Sequence, residues 1–191
     1  GGDLYSRDPY SEQDAIKIVK SVFGAIAYMH SRNVIHRDIK FENIMFTSSD
    51  ANADVKLIDF GLSKKYASGS HLHDTVGTVY TMAPELLQGS YTCSADVWSL
   101  GVITYMLLSS CMPFFGKDRD TIIRKVIRGK YRFSNHRWKF ISSNARKFIS
   151  LLLKQDPKRR PTAEQALKHS WLDRNFNLQK KSNTATVMDN V

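Results

Sequence analysis

Apolar residues recur at helical intervals between Ser11 and His30, where Ile16, Val19, Val22, Phe23, Ile26 and Met29 fall every three or four positions. Ser11 stands where such a helix needs a cap, and Asp14 three residues later completes a capping box. Beyond the Ser31-Arg32-Asn33 turn the pattern shortens. Val34-Ile35, Ile44-Met45-Phe46 and the alternating Val55-Lys56-Leu57-Ile58 read as short strands separated by polar loops. From Ser94 onward the spacing is helical almost throughout. It predicts helices over 94–109, 118–128, 143–154 and 162–168, with Pro113, Pro157 and Pro161 as punctuation. The run Val97–Leu108 is too short to span a bilayer and contains Trp98, Ser99 and Gly101, so it reads as a buried core helix and no transmembrane segment is expected. From about Asn177 to Val191 the chain is polar with little periodicity and is expected to be disordered. The pattern predicts a mainly α fold whose few short strands gather where the polar loops lie.

Composition adds bounds. A chain of 191 residues, 42% hydrophobic and 24% charged, fits one ordinary globular domain. It opens on Gly1-Gly2 and has no signal peptide, which reads as an internal fragment. Cys93 and Cys111 lack metal-ligand spacing and read as reduced core cysteines in a cytoplasmic or nuclear setting. Charge divides unevenly. Up to Ala95 there are 9 basic against 11 acidic residues, net −2; from Asp96 on there are 19 against 7, net +12. The acidic front half suits a cation or a basic substrate. The basic back half has no arginine-rich or aromatic-interleaved tract, so it reads as solvated surface and no nucleic-acid partner is expected.

Three segments carry the chemistry: Val34-Ile35-His36-Arg37-Asp38-Ile39-Lys40-Phe41-Glu42-Asn43, then Leu57-Ile58-Asp59-Phe60-Gly61, then Ala83-Pro84-Glu85. Asp38 and Asp59 each follow an apolar stretch and stand at the mouth of a polar loop. Paired carboxylates near an Asn and a Lys suit a hard cation whose shell is shared with phosphate oxygens. They equally suit a base that positions an attacking hydroxyl. Ser63 and Ser68 lack the strand-to-helix elbow of a serine nucleophile.

In order and spacing these segments, followed by Asp96-Val97-Trp98-Ser99-Leu100-Gly101, resemble the signature set of eukaryotic serine/threonine protein kinases: H-R-D-x-x-x-x-N, D-F-G and A-P-E. The resemblance runs from Gly1 to about Trp171. It implies that residues 1–172 form the large, C-terminal lobe of a kinase domain, and that 173–191 are a tail or the start of a regulatory segment. It further implies ATP and Mg²⁺ as cofactors and protein substrates as partners. Asp38 would be the base, Lys40 would offset charge on the γ-phosphate, Asn43 and Asp59 would hold Mg²⁺, and Thr78 would bond Asp38 and Lys40. Met45 would lie under adenine, or be ordinary strand core. His36 and Phe60 would be core contacts tied to Asp96, and Glu85 would pair with Arg160 as a buried clamp.

The resemblance also suggests control and specificity. Arg37 beside the base calls for an acidic neighbour, and Asp74 stands where a phosphorylated threonine is common; its alternative is a solvated loop aspartate. Glu42 and Asp3 would read a basic side chain upstream of the target. Val79 and Met82 would wall the pocket for the residue after it, with Val79 replacing a usual proline and Thr81 a usual tyrosine.

Gly1-Gly2-Asp3-Leu4-Tyr5-Ser6-Arg7, Ile58–Lys64 and Lys168-His169-Ser170-Trp171-Leu172 are similar to the calcium/calmodulin-dependent and calcium-dependent kinases. That similarity implies calmodulin or a calcium-binding regulatory domain beyond Val191 as a partner. The family's Gly-rich loop, its lysine and the partner Glu are expected upstream of Gly1, in an N-terminal lobe. Without it the isolated chain is expected to have little activity and an exposed apolar face. The alternative is a non-catalytic binding or scaffolding lobe, a reading that the presence of Asp38, Asn43 and Asp59 disfavours.

Overall fold

Ser11 starts the first long helix, α1 (Glu12–Ser31), through a reciprocal cap. Its hydroxyl accepts the Asp14 N–H at 3.2 Å, and the Asp14 carboxylate accepts from Ser11 in return. These coordinates come from a computed structural model that describes residues 1–173; the expected disordered tail lies outside the described residues. The six apolar positions read as one face of α1 are all buried.

Four short strands follow. β1 (Val34–Ile35) pairs antiparallel with β4 (Lys64–Lys65), and β2 (Ile44–Phe46) pairs antiparallel with β3 (Val55–Leu57), with Met45 opposite Lys56. β3 ends one residue earlier than its alternation predicts. There Ile58 N–H turns back to Asn43 O at 2.9 Å, and Asp59 takes a left-handed backbone, φ 59°.

The second half is helical: α2 (Pro84–Leu87), α3 (Ser94–Ser109), α4 (Arg119–Arg128), α5 (Ser143–Leu152) and α6 (Ala163–Leu167). α3 is buried on every side from Ala95 to Ser109, as an apolar helix without a polar face must be. Ser99, Thr104 and Ser109 satisfy their hydroxyls on carbonyls one turn back, at 2.7–3.1 Å. Gly101 admits α5 to this core, since a Cβ there would lie 2.8 Å from that of Leu152. α5 and α6 are each shorter than their spacing predicts, and Ser142 and Thr162 cap them. Glu12 ties the ends together by accepting Ser142 N–H at 2.9 Å and the Trp171 indole at 2.8 Å.

Two expectations fail. Cys111 is exposed, because α3 has already ended at Ser110 in a left-handed turn, φ 53°; Cys93 is half-buried, and both thiols are free. Phe60 leaves 54% of its surface open, and neighbouring Ile58 40%, where a core contact was expected. The Asp59 turn swings the chain outward, and no described element covers that side. No described helix is long and apolar enough to cross a membrane.

Candidate active site

The loop after β1 is held from beneath by one carboxylate. Asp96, in the first turn of α3, accepts the backbone N–H groups of His36 and Arg37 at 2.9 Å each, and the His30 ring at 2.9 Å. Arg37 can present its N–H there because its backbone is left-handed, φ 74°, a conformation costly to a non-glycine residue unless its surroundings impose it. His36 is fully buried; its Nδ1 accepts Asp38 N–H at 3.3 Å, so its Nε2 donates to Ile58 O at 3.2 Å. The ring lies 5.3 Å from Phe60, on the side of Phe60 that is covered.

Asp38 is thereby placed, and three side chains converge on it. Thr78 donates to Oδ1 at 2.7 Å, Lys40 Nζ lies 2.8 Å from Oδ2, and the Asn43 amide donates to Oδ2 at 3.1 Å and to the Asp38 carbonyl at 2.9 Å. Lys40 also reaches the Thr78 hydroxyl at 3.4 Å. Burial pushes the Asp38 carboxyl up, but hydrogen bonds from Lys40 and Thr78 and the Lys40 charge outweigh it and hold the group below the usual carboxylate range. The Lys40 ammonium is raised in turn by its bond to Asp38. Thr78 reaches Asp38 because Gly77, at φ 115°, lets the segment pass over the loop; a Cβ there would meet Arg37 O at 2.4 Å.

Asp59 stands apart from this cluster, with Oδ1 accepting Gly61 N–H at 3.1 Å, yet near enough to act on the Lys40 charge. The Ile58–Asn43 backbone bond brings it beside Asn43. Met45 is half-buried on β2 and bridges to Asp3. Asp3 spends Oδ1 on Ser6 N–H. Val79 is half-buried and Met82 is buried behind Gly77, so only Val79 presents surface for a pocket wall.

Two ion pairs frame the segment between Asp59 and Glu85. The Arg37 guanidinium meets Asp74 at 3.1 Å, Tyr91 OH at 3.1 Å and Leu62 O at 2.5 Å. Lys64 joins at 2.5 Å from Asp74, and its hydrogen bond, then that of Arg37, lowers the Asp74 carboxyl. At the far end Arg160 grips Glu85 with two parallel bonds, 2.6 and 2.7 Å, and stacks over Trp98. Sequence reading missed His30, Lys64, Tyr91 and Tyr80; the last donates its hydroxyl to Glu42 at 2.8 Å. Each is an ordinary residue type; the partners of His30, Tyr91 and Tyr80 lie far along the chain, and that of Lys64 lies ten residues on, across a loop with no local pattern.

A sequence model described as the protein kinase domain matches residues 2–172. CDPK-related kinase 8 of Arabidopsis thaliana is 42% identical over 177 residues, which cover 90% of this chain and 29% of that protein. Calcium-dependent protein kinase 11 of the same plant is 41% identical over 176 residues, 90% of this chain and 36% of that protein. Calcium-dependent protein kinase 5 of Plasmodium falciparum (isolate 3D7) is 39% identical over 175 residues, 90% and 31%. The chain thus spans about a third of the length of the curated relatives it matches.

Proposed function

Because the chain belongs to the protein kinase domain family, we propose that it is the catalytic and substrate-binding lobe of a serine/threonine kinase, which transfers the γ-phosphate of Mg-ATP to a protein hydroxyl. The observation that carries this reading is the Asp38 carboxylate, oriented at once by Thr78, Lys40 and Asn43. A carboxylate with depressed basicity is a poor proton acceptor from a free alcohol. It aligns the hydroxyl in line with the phosphorus and takes the proton late, as the O–P bond forms and the oxygen becomes acidic. Lys40 flanks that position with a positive charge. The intact set of Asp38, Asn43 and Asp59 favours catalysis over a purely scaffolding role.

The residues fit Mg²⁺. Asn43 uses its amide nitrogen on Asp38 and keeps its carbonyl oxygen free, and Asp59 keeps Oδ2 without a partner among the described residues. No group of three or more His, Cys, Asp or Glu gathers among the described residues, which suits a metal that takes one or two protein oxygens and fills its shell with water and phosphate. Bound there, Mg²⁺ would offset the charge on the phosphate oxygens. Met45 is our choice for the floor under adenine. An N-terminal lobe would supply the roof and cover Ile58 and Phe60, and the isolated lobe would have little activity.

Asp74 supplies the negative charge that Arg37 requires, so activity needs no phosphate on this segment. Glu42 and Asp3 recognise a basic side chain upstream of the target, and Val79 presents the surface of the downstream pocket, with buried Met82 packed behind it. The names of the relatives support calcium control as a further proposal for the whole protein, through a calmodulin or calcium-binding domain. The test is phosphate transfer from labelled ATP to serine or threonine peptides by the protein made from its longest open reading frame. We expect the Asp38→Asn variant to lose at least about a hundredfold in rate; equal rates would overturn the assignment of Asp38.

A further inference from the structure

Two hydroxyls on one segment serve two carboxylates on one loop. Thr78 orients Asp38, and two residues on, Tyr80 donates to Glu42 Oε2 at 2.8 Å. Glu42 is exposed and flexible by nature, and it follows Asp38 by four residues. Tyr80 is half-buried, so its ring is fixed where the glutamate is not. Tyr5 stands alongside, its ring 4.9 Å from that of Phe41 and close enough for its phenol to feel both Tyr80 and Glu42. We propose that Tyr80 is a positioning residue for substrate specificity: it locks the Glu42 carboxylate so that Oε1 faces outward to take an N–H of an arginine side chain on the substrate. This rests on the reading of Glu42 as the group that recognises a basic residue, and it deepens that reading.

The physical argument is preorganisation. A free glutamate loses rotamer freedom when a guanidinium docks, and a carboxylate already held by a donor on a half-buried ring has lost it beforehand. Burial first, and the hydrogen bond to Glu42 second, push the Tyr80 phenol far above the usual range, so it remains a donor at every physiological pH. The aromatic rings of Tyr5 and Tyr80 beside the carboxylate suit a flat guanidinium better than a compact ammonium. Arginine should therefore be preferred to lysine.

The experiment uses the 191-residue chain and fluorescein-labelled serine peptides that differ only in carrying Arg, Lys or Ala three positions before the serine, with affinity read by anisotropy. We expect wild type to bind in the order Arg, Lys, Ala. Tyr80→Phe keeps the ring and its packing and removes only the donor. It should lower the Arg-to-Ala affinity ratio about three- to tenfold, and Glu42→Gln should bring that ratio close to one. A Tyr80→Phe ratio equal to wild type, with Glu42→Gln still abolishing preference, would overturn the role of Tyr80 and leave that of Glu42 intact. A wild type that does not distinguish Arg from Ala would remove the reading of Glu42 and this inference together.

Discussion

Asp96 and Arg37 meet through the main chain: a buried carboxylate at the start of α3 accepts the N–H of a residue held at φ 74°. The same carboxylate takes the His36 N–H, so α3 sets the height of the whole loop that carries Asp38. Asp96→Ala strands one buried and one part-buried amide, the buried one worth about 1–3 kcal/mol when left unpaired, and also removes the partner of His30. Urea unfolding should show a loss above about 3 kcal/mol. A loss below that would mean water or a neighbour replaces the carboxylate.

Glu85 and Arg160 form a second buried link, 75 residues apart in sequence. Removing either partner alone leaves a charge in the core, so Glu85→Ala and Arg160→Met should each cost about 3–5 kcal/mol. The double variant should cost less than the sum of the two, because neither charge is then stranded. Additive losses in a double-mutant cycle would show that the carbonyl contacts of Arg160 to Lys154 and Ser94 carry its contribution, and the Glu85 pair does not.

Asp74 differs because it sits in solvent. Its bonds to Lys64 and Arg37 tie the strand β4 to the loop of the base, yet exposed pairs contribute little to global stability. Asp74→Ala should leave the melting temperature nearly unchanged while amide exchange at Lys64 and Tyr66, whose backbone pairs β4 to the β1 region, becomes faster. Unaltered exchange would show that β4 holds without the pair.

The helices were legible because their signals are local: Ser11 with Asp14 for the cap of α1, a 3.6-residue stripe for its buried face, and an unbroken apolar run for α3. The polar loop with Asp38, Lys40 and Asn43 was legible as paired-carboxylate chemistry with Asp59, while the separate roles, and Thr78 altogether, came from the resemblance to kinase motifs. What escaped depends on distant partners. β4 is two lysines with no alternation, and it exists because Val34 and Ile35 lie beside it. α2 is four residues opened by Pro84 and held by packing. Tyr80 meets Glu42 across 38 residues, which no local pattern announces. The kinase resemblance implied a core contact for Phe60, but Asp59 turns it outward.

The charge balance at Asp38 gives the last prediction. In the folded chain burial raises this carboxyl and Lys40, Thr78 and Asn43 lower it, with a net position below the usual 3.8. A depressed folded value means that the ionised carboxylate stabilises the fold above the unfolded value, and that this contribution fades as pH falls through the folded one. Lys40→Met removes both the hydrogen bond that lowers the carboxyl most and the nearest positive charge, while the burial remains. The carboxyl should then titrate at higher pH than in wild type, and the acid loss of stability that belongs to this group should become smaller and be complete at higher pH. Carboxyl ¹³C NMR of Asp38 between about pH 2 and pH 6, beside urea midpoints over the same range, reads both effects. An Asp38 titration that stays in place in Lys40→Met would assign its low value to Thr78 and Asn43. Thr78→Val should then produce the larger upward movement.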